Sequence, residues 1–211
     1  MKFYDRSGEL TLFAKEIKRI REQKKSRFMV ITGRRRIGKT ALGLKALGQD
    51  AAPGIYLFCY PYAVESELAK QWMDDICRKL DLANRYKADT INDIIDAIFD
   101  AAKHRRINLF IDEIQDMLSI NPGFFGKLRE QWDKLTLQGQ SHLFMVLSGS
   151  AASIVKRLFS DYSQPLYRRM TARMELKAFP PAVVKEIYRD YVKQSDSEGL
   201  LSLYALTGGV A

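Results

Sequence analysis

The sequence predicts a three-layer α/β domain built on a five-stranded parallel sheet. Two observations carry that expectation. Apolar runs of strand length alternate with longer amphipathic stretches, and each of the first four runs is nearly unbroken in apolar residues. Unbroken apolar strands are those covered by helices on both faces, as in parallel sheets. A chain of 211 residues is long enough for one such domain with a small appendage.

The first strand is expected at 28–32 (FMVIT), running directly into Gly33. The second falls at 55–60 (IYLFCY) and the third at 108–111 (NLFI), which runs into Asp112. The fourth, 143–147 (LFMVL), runs into Ser148, Gly149 and Ser150. A weaker fifth is expected at 172–176, where Met174 and Leu176 alternate with Arg173 and Glu175.

Helical segments lie between them. Residues 9–22 carry Leu10, Phe13, Ile17 and Ile20 at helical spacing, with charges on the other face. Residues 39–47 follow the first strand's glycine loop, and 65–80 keep Leu68, Trp72, Ile76 and Leu80 in register. Residues 90–102 open with Thr90 and carry Asp93 three positions on, a capping pattern. Residues 122–137 begin with a proline, permitted in a helix's first turn. Beyond Pro180 and Pro181, 182–192 and 198–206 read as helices with no strand between them. A boundary is therefore expected near Phe179: a core over 1–178 and the start of a helical lid over 179–211.

Composition narrows the class. Hydrophobic residues make up 46% and charged residues 28%, which is globular and not disordered composition. No apolar run approaches membrane-spanning length and the N-terminus lacks an apolar signal core, so a cytoplasmic protein is expected. Cys59 and Cys77 have no metal-type spacing and are expected as buried, reduced thiols; His104 and His142 are too separated to form a metal site. The net charge of +9 favours anionic partners, nucleic acid or phosphate-bearing molecules. The basic residues are nevertheless scattered, with no long arm and no DNA-reading motif.

Gly33, Arg34, Arg35, Arg36, Ile37, Gly38, Lys39 and Thr40 fit GxxxxGK[ST] at every fixed position, between an expected strand and an expected helix. That setting is what gives this pattern its meaning. The glycines let the backbone turn and aim N–H groups at a nucleotide's phosphates, at the positive end of the following helix. Lys39 can then reach the β- and γ-phosphates, and the Thr40 hydroxyl can ligand Mg²⁺. Ala41, first past the motif, joins the expected ATP contacts. Arg34, Arg35 and Arg36 are unusual occupants. They are either solvated or folded back onto the loop or a neighbouring subunit.

Asn108 to Glu113 place two carboxylates at the end of an apolar strand. Downstream of a complete phosphate loop, Asp112 is expected to hold Mg²⁺ and Glu113 to orient and deprotonate the attacking water. Ser148, at the end of the next strand, can touch the γ-phosphate or that water; a glycine turn capped by serines is the competing reading. Arg169, in a basic pair before the fifth strand, can stabilise charge on the transferred phosphoryl group or belong to a solvated turn.

In combination, FYDRSGEL, TGRRRIGKT, LFIDEIQ, LSGS, PLYRRMTARMEL and LTGGV resemble the archaeal/bacterial ATPase family of the STAND class of P-loop NTPases, relatives of the AAA+ ATPases. The resemblance covers essentially the whole chain. It implies five parallel strands with the phosphate-loop strand central. It also implies that Tyr4, Asp5, Arg6, Glu9 and Leu10 lie near the adenine or the base of the loop, which adds Tyr4 and Arg6 to the nucleotide contacts. Arg169 inherits the arginine role, while Arg168 replaces a glycine. In similar proteins the Gly-Gly-Val segment continues into a proline, a longer lid, a winged helix and often a nuclease-like domain. Here Ala211 takes the proline position, so a fragment is expected.

The leading expectation is an ATPase switch acting on an unidentified protein or nucleic-acid partner. A non-hydrolysing, nucleotide-dependent binding protein is one alternative. A small-molecule kinase is another, opposed by the adjacent Asp112 and Glu113.

Overall fold

The computed structural model describes residues 3–82, 87–137, 141–150, 152–192 and 196–209. Five strands, β1 (Arg27–Gly33), β2 (Gly54–Phe58), β3 (Ile107–Asp112), β4 (Leu143–Gly149) and β5 (Ala172–Leu176), form one parallel sheet in the order β2-β3-β4-β1-β5. β3 and β4 are buried at every position, as their unbroken apolar sequences require. β5 alternates, because it is an edge strand with helices over only one of its faces. The phosphate-loop strand is not central. β1 is one place from the edge, and β4 holds the middle.

Helices α1 (Ser7–Gln23) and α2 (Lys39–Leu47) cover one face. Phe13, Ile17 and Ile20 of α1 and Leu42 and Ala46 of α2 pack there on Met29, Ile31, Phe110, Phe144 and Val146. The other face is covered by α3 (Glu65–Leu80), α4 (Ile91–His104), the single turn α5 (Met117–Ile120), α6 (Phe124–Leu137) and α7 (Ala152–Ser160). Alternate residues of each strand feed the two layers, so Phe28 and Val30 face one and Met29 and Ile31 the other.

Local signals behaved as physical chemistry requires. Thr90 and Asp93 close a reciprocal capping box on α4. Pro122 does not open α6: the Phe124 N–H closes a turn on the Asn121 carbonyl at 3.1 Å, and the helix starts at Phe124. Pro181 does occupy the first turn of α8 (Pro181–Tyr191). α8 and α9 (Ser197–Thr207) follow the sheet without an intervening strand. Gly209, at φ 73°, accepts a bond from the Phe179 N–H at 2.8 Å; a Cβ there would meet the Phe179 carbonyl at 2.5 Å. Val210 and Ala211 lie outside the described residues. Cys59 is buried, but Cys77 is only partly so, and both are free thiols. Among the described residues no helix is long and apolar enough to cross a membrane.

Candidate active site

Parallel strands share a C-terminal edge, and the expected phosphate loop and acidic pair meet there. β1 delivers Gly33, β4 delivers Ser148 and Gly149, and β3 delivers Asp112. β4 lies between β1 and β3, so the loop and the acids are brought together across one intervening strand.

Two glycines shape the loop by different means. A Cβ on Gly33 would approach the Leu176 carbonyl to 2.8 Å, so β5 sets its size. Around Gly38 the space is open, but φ is 94°, where a side chain is strained. Arg36 also takes positive φ, at 63°. Such alternation turns successive N–H groups to one side and makes an anion-binding concavity. Ile37 is buried and plugs the loop's base, while Arg34, Arg35 and Arg36 are exposed. A third glycine was not singled out in the sequence: a Cβ on Gly43 would stand 2.3 Å from the Phe110 ring, so glycine lets α2 lie against β3.

Lys39 is buried and donates to the carbonyls of Gly33 and Arg34, each at 3.2 Å. Burial depresses its pKa, and the charges of Glu113 and Asp112 oppose that. Thr40 Oγ1 donates to Asp112 Oδ2 at 2.5 Å, and the Tyr56 hydroxyl approaches the same oxygen at 3.4 Å. Burial first, then Asp112, raises the Tyr56 pKa, so its hydroxyl keeps its proton. Ala41 is exposed in the first turn of α2.

Glu113 sits at φ 52°, a left-handed conformation uncommon for non-glycine residues. Its Oε2 accepts from Ser150 Oγ at 2.7 Å, Ser150 N–H at 3.2 Å and Gln115 Nε2 at 2.6 Å. Burial alone would raise the Glu113 pKa. The bonds from Ser150 and Gln115, with the charge of Lys39, outweigh it and hold the carboxyl below its ordinary range. Asp116 moves the other way, raised by burial and by Glu113, with Arg35 opposing. Ser148 is fully buried at the end of β4, and among the described residues its hydroxyl has no hydrogen-bond partner. Ser150 and Gln115 therefore touch the acidic pair where Ser148 does not. Sequence reading gave Gln115 no role, although its place two residues past Glu113 on the 3-10 turn Ile114–Asp116 was the available signal.

Arg6 is a brace at the loop's base. It is 6% exposed, pairs with Glu9 at 3.0 Å, donates to the Lys177 carbonyl at 2.8 Å, approaches the Ile37 carbonyl at 3.5 Å and lies 4.3 Å from the centre of the Phe179 ring. Tyr4 donates to Asp190 of α8 at 2.7 Å. Arg169 is not brought to the loop. It forks onto Asp133 with two bonds of 2.8 Å, and Thr171, two residues on, is bonded to Phe28. Gly33 lies five residues further along β1, about 16 Å away at about 3.3 Å per residue.

Comparison with known proteins gives the family and the fold. The profile of an ATPase domain predominantly from Archaea matches residues 3–211. The chain belongs to that family. It is similar to an uncharacterised Methanocaldococcus jannaschii protein, MJECL04, 26% identical over 208 residues, covering 99% of this chain and 42% of that one. The Walker-type ATPase PABY2304 of Pyrococcus abyssi shares the fold at TM-score 0.71 and 18% identity, over 99% of this chain and 64% of its own. The Aeropyrum pernix ORC2 protein, in ADPNP-ADP complexes, aligns at 0.66 and 17% over 91% and 52%. The FIGL-1 AAA domain with ADP aligns at 0.65 and 15% over 98% and 66%. The archaeal ATPase domain thus spans less than two thirds of each of these relatives. Its fold is that of the P-loop ATPases.

Proposed function

We propose that this archaeal-type ATPase domain binds and hydrolyses ATP, and acts as a STAND-type, nucleotide-dependent switch. One observation carries the reading: Lys39, Thr40, Asp112 and Glu113 converge on a single glycine-shaped loop at the C-terminal edge of the sheet. Loop N–H groups and Lys39 take the phosphates, and the Glu113 carboxylate accepts the proton of the attacking water. Thr40 and Asp112 offer converging hard oxygens, a donor set that fits Mg²⁺. When bound there, Mg²⁺ neutralises charge on the phosphates. The ADP and ADPNP named for the structural neighbours support the choice of nucleotide.

The switch reading rests on the chain beyond β5. Tyr4 holds α8 and Phe179 holds Gly209, so the region from 179 on is tied to the N-terminal segment that braces the loop. We assign that region as the start of the lid and Arg6 and Tyr4 as its links, with movement passed to a protein or nucleic-acid partner in the cytoplasm. Arg169, remote from its own loop, is assigned to a neighbouring subunit's nucleotide.

The alternative, an ATP-dependent binding protein without hydrolysis, draws on one observation. Ser150 and Gln115 engage the Glu113 carboxylate and lower its basicity, which suits a general base poorly unless those bonds open. Calorimetry on Lys39→Ala tests the common part of both readings. ATP affinity falls below detection while the thermal melt is retained; undiminished affinity in a folded variant refutes the nucleotide site.

A further inference from the structure

Beside the phosphate loop, the outer edge of the sheet carries a second, differently built cleft. It has a volume of about 590 Å³ and runs between β5, α7 and the loop. Four cations line it from separate elements: Arg34 of the loop, Lys156 of α7, Arg173 of β5 and Lys177 just past β5. They face one carboxylate, Glu175. All four are exposed, and among the described residues none forms an ion pair. Basic side chains elsewhere include some matched to acids, Arg21 and Arg106 on Asp50 for example; these four are distinguished by lining one cleft from separate elements. Cations left unmatched around a cleft are positioned for an anion from outside.

The geometry favours an extended anion over a compact one. Arg173 and Lys177, four residues apart on one face of the strand, span about 13 Å at about 3.3 Å per residue. Lys156 of α7 and Arg34 of the loop add charge from two further elements. A row of separated cations suits a line of phosphates, and nucleic acid has a dense line of them whose counterions are released on binding. We propose that this groove binds the phosphodiester backbone of a nucleic-acid strand.

The groove is joined to the nucleotide loop through its own walls. The Arg34 carbonyl accepts from Lys39, and the Lys177 carbonyl accepts from Arg6, which also approaches the Ile37 carbonyl. An occupant that draws on Arg34 and Lys177 therefore acts on backbone that the loop uses. Binding and ATP affinity are then coupled, equally in both directions. Binding itself does not depend on the ATPase reading.

The test is fluorescence anisotropy of a labelled oligothymidylate titrated with the full chain, without nucleotide, at low and physiological salt. The Arg173→Glu, Lys177→Glu double variant loses about 10-fold or more in affinity, and its salt slope falls by about 1.4, or 0.7 for each single-strand phosphate contact. Arg173→Ala with Lys177→Ala moves the same way and guards against a folding defect from charge reversal. Lys70→Glu, an equal charge change per site at an exposed position of α3, stays within about 2-fold. The proposal is overturned by absent binding, by equal losses at Lys70, or by polyglutamate displacing the strand at equal charge concentration. Failure of the ATP site would appear instead in the Lys39 calorimetry and leave these titrations unchanged.

Discussion

Replacing Arg6 with alanine separates a structural brace from a nucleotide contact. The bond from Arg6 to the Lys177 carbonyl, at 2.8 Å and shielded from water, is charge-assisted and contributes about 1.5–3 kcal/mol. Stacking on Phe179 adds about 1 kcal/mol at such a site. The Glu9 partner is 28% exposed and adds no more than about 0.5 kcal/mol. The 3.5 Å approach to Ile37 is too long to count. The loss is therefore about 3 kcal/mol, which for a chain of this size lowers Tm by about 9 °C at about 3 °C per kcal/mol. The assay is a calorimetric melt without nucleotide, followed by ATP titration of the folded variant. Arg6→Lys keeps the charge without the fork and recovers only part of the loss. A nucleotide-free Tm within about 1 °C of wild type, together with weakened ATP binding, would refute the brace and make Arg6 a direct ligand.

Two further outcomes follow from ion pairs outside the loop. Asp50 is buried among Asn108, Arg21 and Arg106; burial would raise its pKa, but the bonds from Asn108 and Arg21 and the charge of Arg106 win and lower it. A carboxyl lowered on folding adds stability that is complete above its unfolded value, near 3.9, and lost as pH falls through the folded one. Asp50→Asn therefore lowers stability by about 2 kcal/mol at neutral pH, and its difference from wild type shrinks in melts below about pH 4; a pH-independent difference would contradict the linkage. For Arg169→Ala, turnover of an assembled full-length protein falls by about 10³, and mixing with Lys39→Ala restores part of it, since each supplies what the other lacks. Wild-type turnover in the unmixed Arg169→Ala protein would reduce the Asp133 pair to a surface contact.

The sheet was legible because its order of events is local. Three of the four apolar runs end in chemistry-bearing residues, Gly33, Asp112 and Ser148, and fully buried strands must read as unbroken apolar runs. The lateral order was not legible: nothing in residues 143–149 says that β4 enters between β1 and β3, since that choice is made by packing between distant segments. The capping box at Thr90 was visible because its partners are three residues apart. The grip of Ser150 on Glu113 joins residues 37 apart, and the partners of Arg6 lie up to 171 residues away, so only the folded chain reveals them. α7 also escaped notice, being a short amphipathic segment between two strands.

Steady-state phosphate release and MgATP binding, measured side by side on wild type and Glu113→Gln, test the central claim most directly. The substitution keeps the side chain's size and an acceptor oxygen for Ser150 and Gln115, and removes the negative charge and the basicity. The account predicts that binding stays within a few-fold while hydrolysis falls by about 10² or more. Hydrolysis at the wild-type rate with binding intact would contradict it.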